Sequence, residues 1–215
     1  MSDAARRGRF ITLEGIEGVG KSTHVDFVAE RLTEAGRVVL ITREPGGTAL
    51  AEQIRSVVLA PRDEQVEPLA EVLLMFAARR QHVARVIEPA LAQGQWVICD
   101  RFTDATLAYQ GYGRGFSLER IRTLADWCHA DAWPDLTLLL DVSVATSVAR
   151  RATRGSDADR FEAEQQRFFE AVRQGYLELA AAAPERFTVI DAEPPLDDVR
   201  NALRGALDQL LEAVD

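Results

Sequence analysis

Cysteine is scarce in this 215-residue chain, which has two, Cys99 and Cys128. Two lone cysteines do not build the disulfide framework of a small secreted domain, nor a cysteine-based metal site. Cys99 lies in the apolar run Trp96–Cys99 and is expected to be a buried thiol. Long hydrophobic runs are missing too: no segment approaches the ~20 apolar residues of a membrane span. The first ten residues, MSDAARRGRF, lack the apolar stretch of a signal peptide. These absences predict a reduced, cytoplasmic protein without membrane contact. Positive charge is also short, with 25 Lys and Arg against 34 Asp and Glu, a net charge of -9. Such a chain is poorly suited to hold nucleic acid by its phosphates, though a local basic pocket for a small anion stays open. There is no internal repeat, low-complexity stretch or dividing linker, so residues 1–215 are expected to form one domain.

What is present is alternation. Short apolar runs at Phe10–Leu13, Val38–Thr42, Trp96–Asp100, Leu136–Val142 and Phe187–Asp191 are apolar on both faces. Strands of a parallel sheet covered on both sides have this pattern. Helical periods fall between them, at about Lys21–Ala35, Ala49–Leu59, Pro68–Gln93, Ser117–Ala130, Val144–Thr153, Phe161–Ala182 and Leu196–Glu212. The expectation is an α/β fold: a five-stranded parallel sheet with helices on both faces. Arg43–Thr48, Gln110–Gly115 and Arg150–Arg160 stand out as loops.

Gly15-Ile16-Glu17-Gly18-Val19-Gly20-Lys21-Ser22 matches G-x-x-x-x-G-K-[ST] in full, after a strand and before a helix. Glycines let the backbone wrap an anion with its N–H groups, and the helix N-terminus adds unpaired donors. Gly15 through Thr23 are therefore the expected ATP site of a P-loop NTPase fold. Lys21 would reach the β- and γ-phosphates and Ser22 would ligate Mg2+. Asp100 ends the third strand and is a second candidate metal ligand, with Arg101 beside it. No N-K-x-D guanine-reading element is present. Arginine is plentiful in loops, and its planar fork binds phosphate oxygens in pairs. Several arginines near one P-loop suit two phosphorylated ligands facing each other.

Four further segments carry a family resemblance: Thr42–Thr48, Phe76–His82, Asp100–Phe102 and Ala108–Gly111. In this order behind the P-loop, they resemble bacterial thymidylate kinase, a nucleoside monophosphate kinase that uses ATP to phosphorylate dTMP. The resemblance runs from Phe10 to Val199. It implies that Arg43 and Pro45–Gly47 shape the acceptor phosphate site, with Glu44 near metal and sugar. Arg55 and Arg101 would bind the dTMP phosphate, and Arg79 would donate to thymine O4. Thr106 and Gln110 would line the base, and Tyr109 would crowd the 2′ position of the sugar. Glu17 matches a carboxylate that the family uses near acceptor or metal.

The family stacks a Phe on the thymine where this chain has Met75, with Phe76 one step on; either Met75 or Phe76 would cover the base. Ala105 stands where a serine is common, and Phe102 where many relatives carry Tyr or His. Some relatives place a catalytic arginine directly after the P-loop lysine, where this chain has Ser22. The resemblance then points to a short lid at about residues 150–160, with Arg151, Arg154 and Arg160 as candidates and Arg154 favoured. It also implies a homodimer through helices near Ala49–Leu59 and Pro68–Gln93. Two other readings of the P-loop stay open: a deoxynucleoside kinase, and a nucleotide switch protein.

Overall fold

The structure, a computed structural model, describes residues 7–130, 132–152 and 162–214. Five parallel strands make one sheet in the order β2-β3-β1-β4-β5. They are β1 (Phe10–Glu14), β2 (Val39–Arg43), β3 (Trp96–Asp100), β4 (Leu136–Asp141) and β5 (Phe187–Asp191). β1 is central and buried along its whole length, as its apolar residues on both faces require. Its register sets Leu13 beside Asp100 on β3 and beside Leu138 on β4. β2 brings Arg43 beside Asp100. The carboxyl ends of β2, β3 and β1 therefore meet at one edge, where open α/β sheets bind ligands.

The helices are α1 (Lys21–Glu34), α2 (Ala49–Leu59), α3 (Pro68–His82), α4 (Glu88–Ala92), α5 (Thr103–Thr106), α6 (Leu118–His129), α7 (Val144–Ala152), α8 (Glu162–Ala182) and α9 (Leu196–Glu212). α1 buries His24, Val25, Val28 and Leu32, a stripe at helical spacing. α2 begins at Thr48, whose hydroxyl accepts the Ala51 N–H at 3.1 Å. α3 begins at Glu67, whose carboxylate accepts the Ala70 N–H at 3.0 Å, with Pro68 in the first helical turn.

Two expectations need correction. The helix expected over Pro68–Gln93 is interrupted by a π-helical segment, Val83–Ile87, before α4. The Gln110–Gly115 loop is largely a second π-helical segment, Leu107–Gly113, continuing α5. Its glycines serve packing. A Cβ on Gly113 would lie 2.6 Å from the Phe168 ring, and one on Gly175 would meet Tyr112 at 2.5 Å. Side-chain-free positions let α8 approach this segment closely.

Candidate functional site

The P-loop runs from β1 into α1, and Gly20 caps the helix in a left-handed conformation with φ 94°. A side chain would be strained there. Gly18 lies against α7: a Cβ would come within 2.7 Å of the Ser147 carbonyl. Ser147 Oγ also donates to the Glu17 carbonyl at 2.7 Å, fixing the loop to that helix. Lys21 Nζ reaches back to the carbonyls of Gly15 and Ile16, both at 3.1 Å. Burial and, next, nearby Arg101 pull the Lys21 ammonium down to about 7. An approaching polyphosphate would reverse that shift. Beside the loop lies a cavity of about 270 Å³ lined by Gly18–Gly20, Thr23, His24, Arg150 and Pro194.

A larger cavity, about 420 Å³, opens on the other side, and its lining includes Glu17, Asp100 and Arg101. It gathers most of the residues singled out from the sequence: Arg43, Glu44, Pro45, Arg55, Met75, Arg79, Thr106, Tyr109 and Gln110 also line it. Phe76 does not; it is buried in the main core, with the Arg79 guanidinium 4.7 Å above its ring. Ser22 is exposed at the start of α1. Arg151, in the last turn of α7, has its guanidinium 3.8 Å from the Glu17 carboxylate. Thr153–Arg160, and with them Arg154, lie outside the described residues.

Arg79 is part of the cavity wall. Its Nε donates to Glu44 Oε2 at 2.7 Å, and its Nη2 to the Phe102 carbonyl and Thr106 Oγ1 at 3.1 Å each. Nη1 is buried without a hydrogen-bond partner. Glu44 is shared with His82, whose Nδ1 lies 3.0 Å from Oε1. A carboxylate only accepts, so Nδ1 carries the proton. Thr42 Oγ1 lies 2.7 Å from the other ring nitrogen. Burial pushes the Glu44 carboxyl up, but Arg79 and His82 outweigh it and hold it below the usual range. Arg43 donates twice to Glu52, at 3.1 and 3.0 Å, and Arg55 donates to the Pro45 carbonyl at 2.9 Å.

Arg101 has φ 70°, a left-handed backbone unusual for a residue with a side chain. It is held there by its own N–H on the Leu13 carbonyl at 3.0 Å. The guanidinium donates to Tyr109 Oη at 2.9 Å and to Tyr176 Oη at 3.3 Å. Below it is a residue that sequence reasoning missed, Glu14. Glu14 is buried and accepts from the Phe102 N–H and from Tyr176 Oη, both at 2.7 Å. Burial, then Asp104, push its carboxyl up to about 8. A carboxylate closing an otherwise apolar strand was the available signal. His82, Glu71 and Tyr176 were missed as well.

Asp100 Oδ1 is buried without a hydrogen-bond partner. No group of three or more His, Cys, Asp or Glu fit to hold a metal occurs among the described residues. An oxygen-only set of one carboxylate and one hydroxyl, Asp100 and Ser22, is what Mg2+ uses when phosphates and water complete its shell. Chemically, the site pairs an anion cradle with a cavity that offers arginine donors at one end and an amide, a hydroxyl and apolar walls at the other.

The thymidylate kinase family model matches residues 13–203 of the chain. The thymidylate kinase of Pseudomonas fluorescens (strain SBW25) is 58% identical over 205 residues, covering 95% of this chain and 97% of that protein. That of Pseudomonas putida (strain W619) is 55% identical over 203 residues, covering 94% and 98%. The crystal structure of thymidylate kinase from Ehrlichia chaffeensis superposes with a TM-score of 0.77 at 34% identity, over 95% of this chain and 99% of that one. With this sheet order, this phosphate loop and these relatives, the chain belongs to the thymidylate kinase family.

Proposed function

We propose that the chain transfers the γ-phosphoryl group of ATP to dTMP, giving ADP and dTDP, a step toward dTTP. The observation that carries this is the larger cavity. It reaches the P-loop at Glu17, takes in Asp100 and Arg101 from the neighbouring strand end, and is lined by Arg79 and Gln110. Thymine presents two carbonyls, one N–H and a methyl group. Arg79 supplies a donor to O4, Gln110 and Thr106 face the N3 edge, and Met75 covers the ring from the apolar side. Phe76 supports Arg79 from behind. Tyr109, which accepts from Arg101, would crowd a 2′-hydroxyl.

The donor half works through the backbone. Gly15–Gly20 and the start of α1 direct N–H groups at the phosphates, and Lys21 swings from its carbonyl partners to the β- and γ-oxygens. Ser22 and Asp100 would hold Mg2+, which when bound neutralises charge on the transferring group. Glu17 lines the acceptor cavity while pairing with Arg151, so it stands at the seam between the two ligands. Arg43, Arg55 and Arg101 draw in the acceptor phosphate. That phosphate is already anionic at neutral pH, so no general base is required. The chemistry is in-line positioning with charge neutralisation, completed by Arg154 of the lid.

A homodimer fits the same picture. Val57 and Leu59 on α2, and Leu69 and Leu73 on α3, are exposed apolar residues on two helices packed together. No described helix is long and apolar enough to cross a membrane.

An acceptor panel of dTMP, dUMP, dCMP, UMP and thymidine with ATP and Mg2+ tests the proposal. The expected result is ADP release stimulated most strongly by dTMP. Preference for thymidine would mean a nucleoside kinase, and release that no acceptor stimulates would mean a switch protein.

A further inference from the structure

Glu71 has no part in the chemistry above, yet it is buried in the wall of the acceptor cavity. It lies in the first turn of α3, where the helix dipole favours a negative charge. Both of its oxygens are engaged. Oε1 accepts from Gln110 Nε2 at 2.7 Å, and Oε2 accepts from Arg114 Nη1. A carboxylate oxygen only accepts, and here one accepts from the Gln110 amide and the other from the Arg114 guanidinium. Glu71 therefore dictates which end of the Gln110 amide points toward it.

A glutamine amide is nearly symmetric in shape. Left alone, Gln110 offers an acceptor or a donor to the base with similar ease, and it discriminates nothing at N3. One Nε2 hydrogen is committed to Glu71, which turns the nitrogen end of the amide toward that carboxylate and the Oε1 end away from it, and no other hydrogen bond to the Gln110 side chain is present among the described residues. The wall, which both residues line, then offers an acceptor from Gln110 and guanidinium donors from Arg79. Thymine complements both, through N3–H and O4. Cytosine opposes both, because its N3 carries a lone pair and its N4 carries hydrogens.

We propose that Glu71 is a specificity-determining residue that locks the Gln110 amide so that the site accepts a 4-keto pyrimidine and rejects a 4-amino one. The proposal rests on the dTMP reading. Glu71 touches no substrate, so it is a positioning residue. Its action passes through one hydrogen bond to Gln110.

Glu71→Gln makes the strongest test. Arg114 still requires an oxygen, so the new amide turns its nitrogen toward Gln110. Gln110 must then flip and present Nε2 to the base. kcat/KM for dTMP and for dCMP is measured on one preparation, so the folded fraction cancels in their ratio. The dTMP-to-dCMP ratio is expected to fall about tenfold or more, since a reversed polar contact is penalised on one base and relieved on the other. The loss for dTMP is expected in KM rather than kcat. Combining Glu71→Gln with Gln110→Glu restores an acceptor facing the base, and the ratio is expected to recover.

An unchanged ratio in Glu71→Gln overturns the proposal, as does a folded double variant that fails to recover it. If Glu71→Gln does not fold, Glu71→Ala frees Gln110 to turn either way, and an unchanged ratio there overturns it equally. Wild-type protein indifferent between dTMP and dCMP would instead overturn the dTMP reading itself. A wild-type preference for dTMP that does not depend on Glu71 would remove only Glu71.

Discussion

The two halves of the site are built by different means. The half proposed to hold the donor is one contiguous stretch, Gly15–Thr23, whose working groups are mostly backbone N–H. The acceptor half is assembled from side chains on β2, α3, β3 and the Leu107–Gly113 segment, held by buried partners such as Glu44, His82, Glu71 and Glu14. A contiguous loop keeps its shape when a distant residue changes. A constellation of side chains does not, because each member is oriented by another. Damage to the donor half should therefore appear in turnover, and damage to the acceptor half in affinity, selectivity and stability together.

The largest effects should come from charge lost on the transferring group. Lys21→Ala is expected to lower kcat about 10³-fold with dTMP affinity nearly unchanged. Arg154→Ala is expected to act similarly, about 10³-fold or more. Steady-state kinetics with separate dTMP binding measurements check both; near-normal turnover would remove either residue from the mechanism.

Arg79→Ala should act differently. It strips Glu44 of its guanidinium partner, and breaking a buried pair costs about 3–5 kcal/mol. Thermal unfolding should show a clear drop, and dTMP affinity should fall while ATP affinity holds. Equal losses for both nucleotides would erase the distinction between the halves. His82→Gln removes a partner of Glu44 and of Thr42 and is expected to cost about 1–3 kcal/mol, with a modest rise in KM for dTMP only.

The smallest effect is a proton. Burial lowers Lys21 to about 7, so above that pH the group is partly neutral before phosphate arrives. Phosphate charge raises its pKa again, so ATP binding should take up protons above about pH 7 and weaken as pH rises. Calorimetry in buffers of different ionisation enthalpy measures this uptake, and zero uptake would contradict the lowered value.

The contrast between the halves also decides what could be read in the sequence. The P-loop was legible because its function lies in local backbone conformation, which glycine spacing encodes. The five strands were legible as short apolar runs, and β1, β3 and β4 are the buried ones, while β2 and β5 at the edges stay partly exposed. The residues that line the larger cavity were brought together through family likeness, since nothing local in the sequence links Arg79 to Glu44. Glu14 and His82 stayed hidden because a buried polar residue differs from an exposed one only in its neighbours. The Leu107–Gly113 segment was misjudged for a related reason. Glycine near a turn and glycine under a crossing helix look alike until α8 is placed.

The position of β1 at the centre of the sheet has a consequence for how the protein is made. β1 leaves the ribosome first, but the strands that flank it, β3 and β4, begin at Trp96 and Leu136. The phosphate loop hangs from a strand that has no hydrogen-bonded neighbour until much of the chain has emerged. Such non-local pairing slows folding and leaves apolar strands uncovered meanwhile. The nascent chain should thus be most vulnerable to aggregation and proteolysis before β4 appears. Translation arrested ahead of Leu136 should yield a protease-sensitive product that binds no ATP.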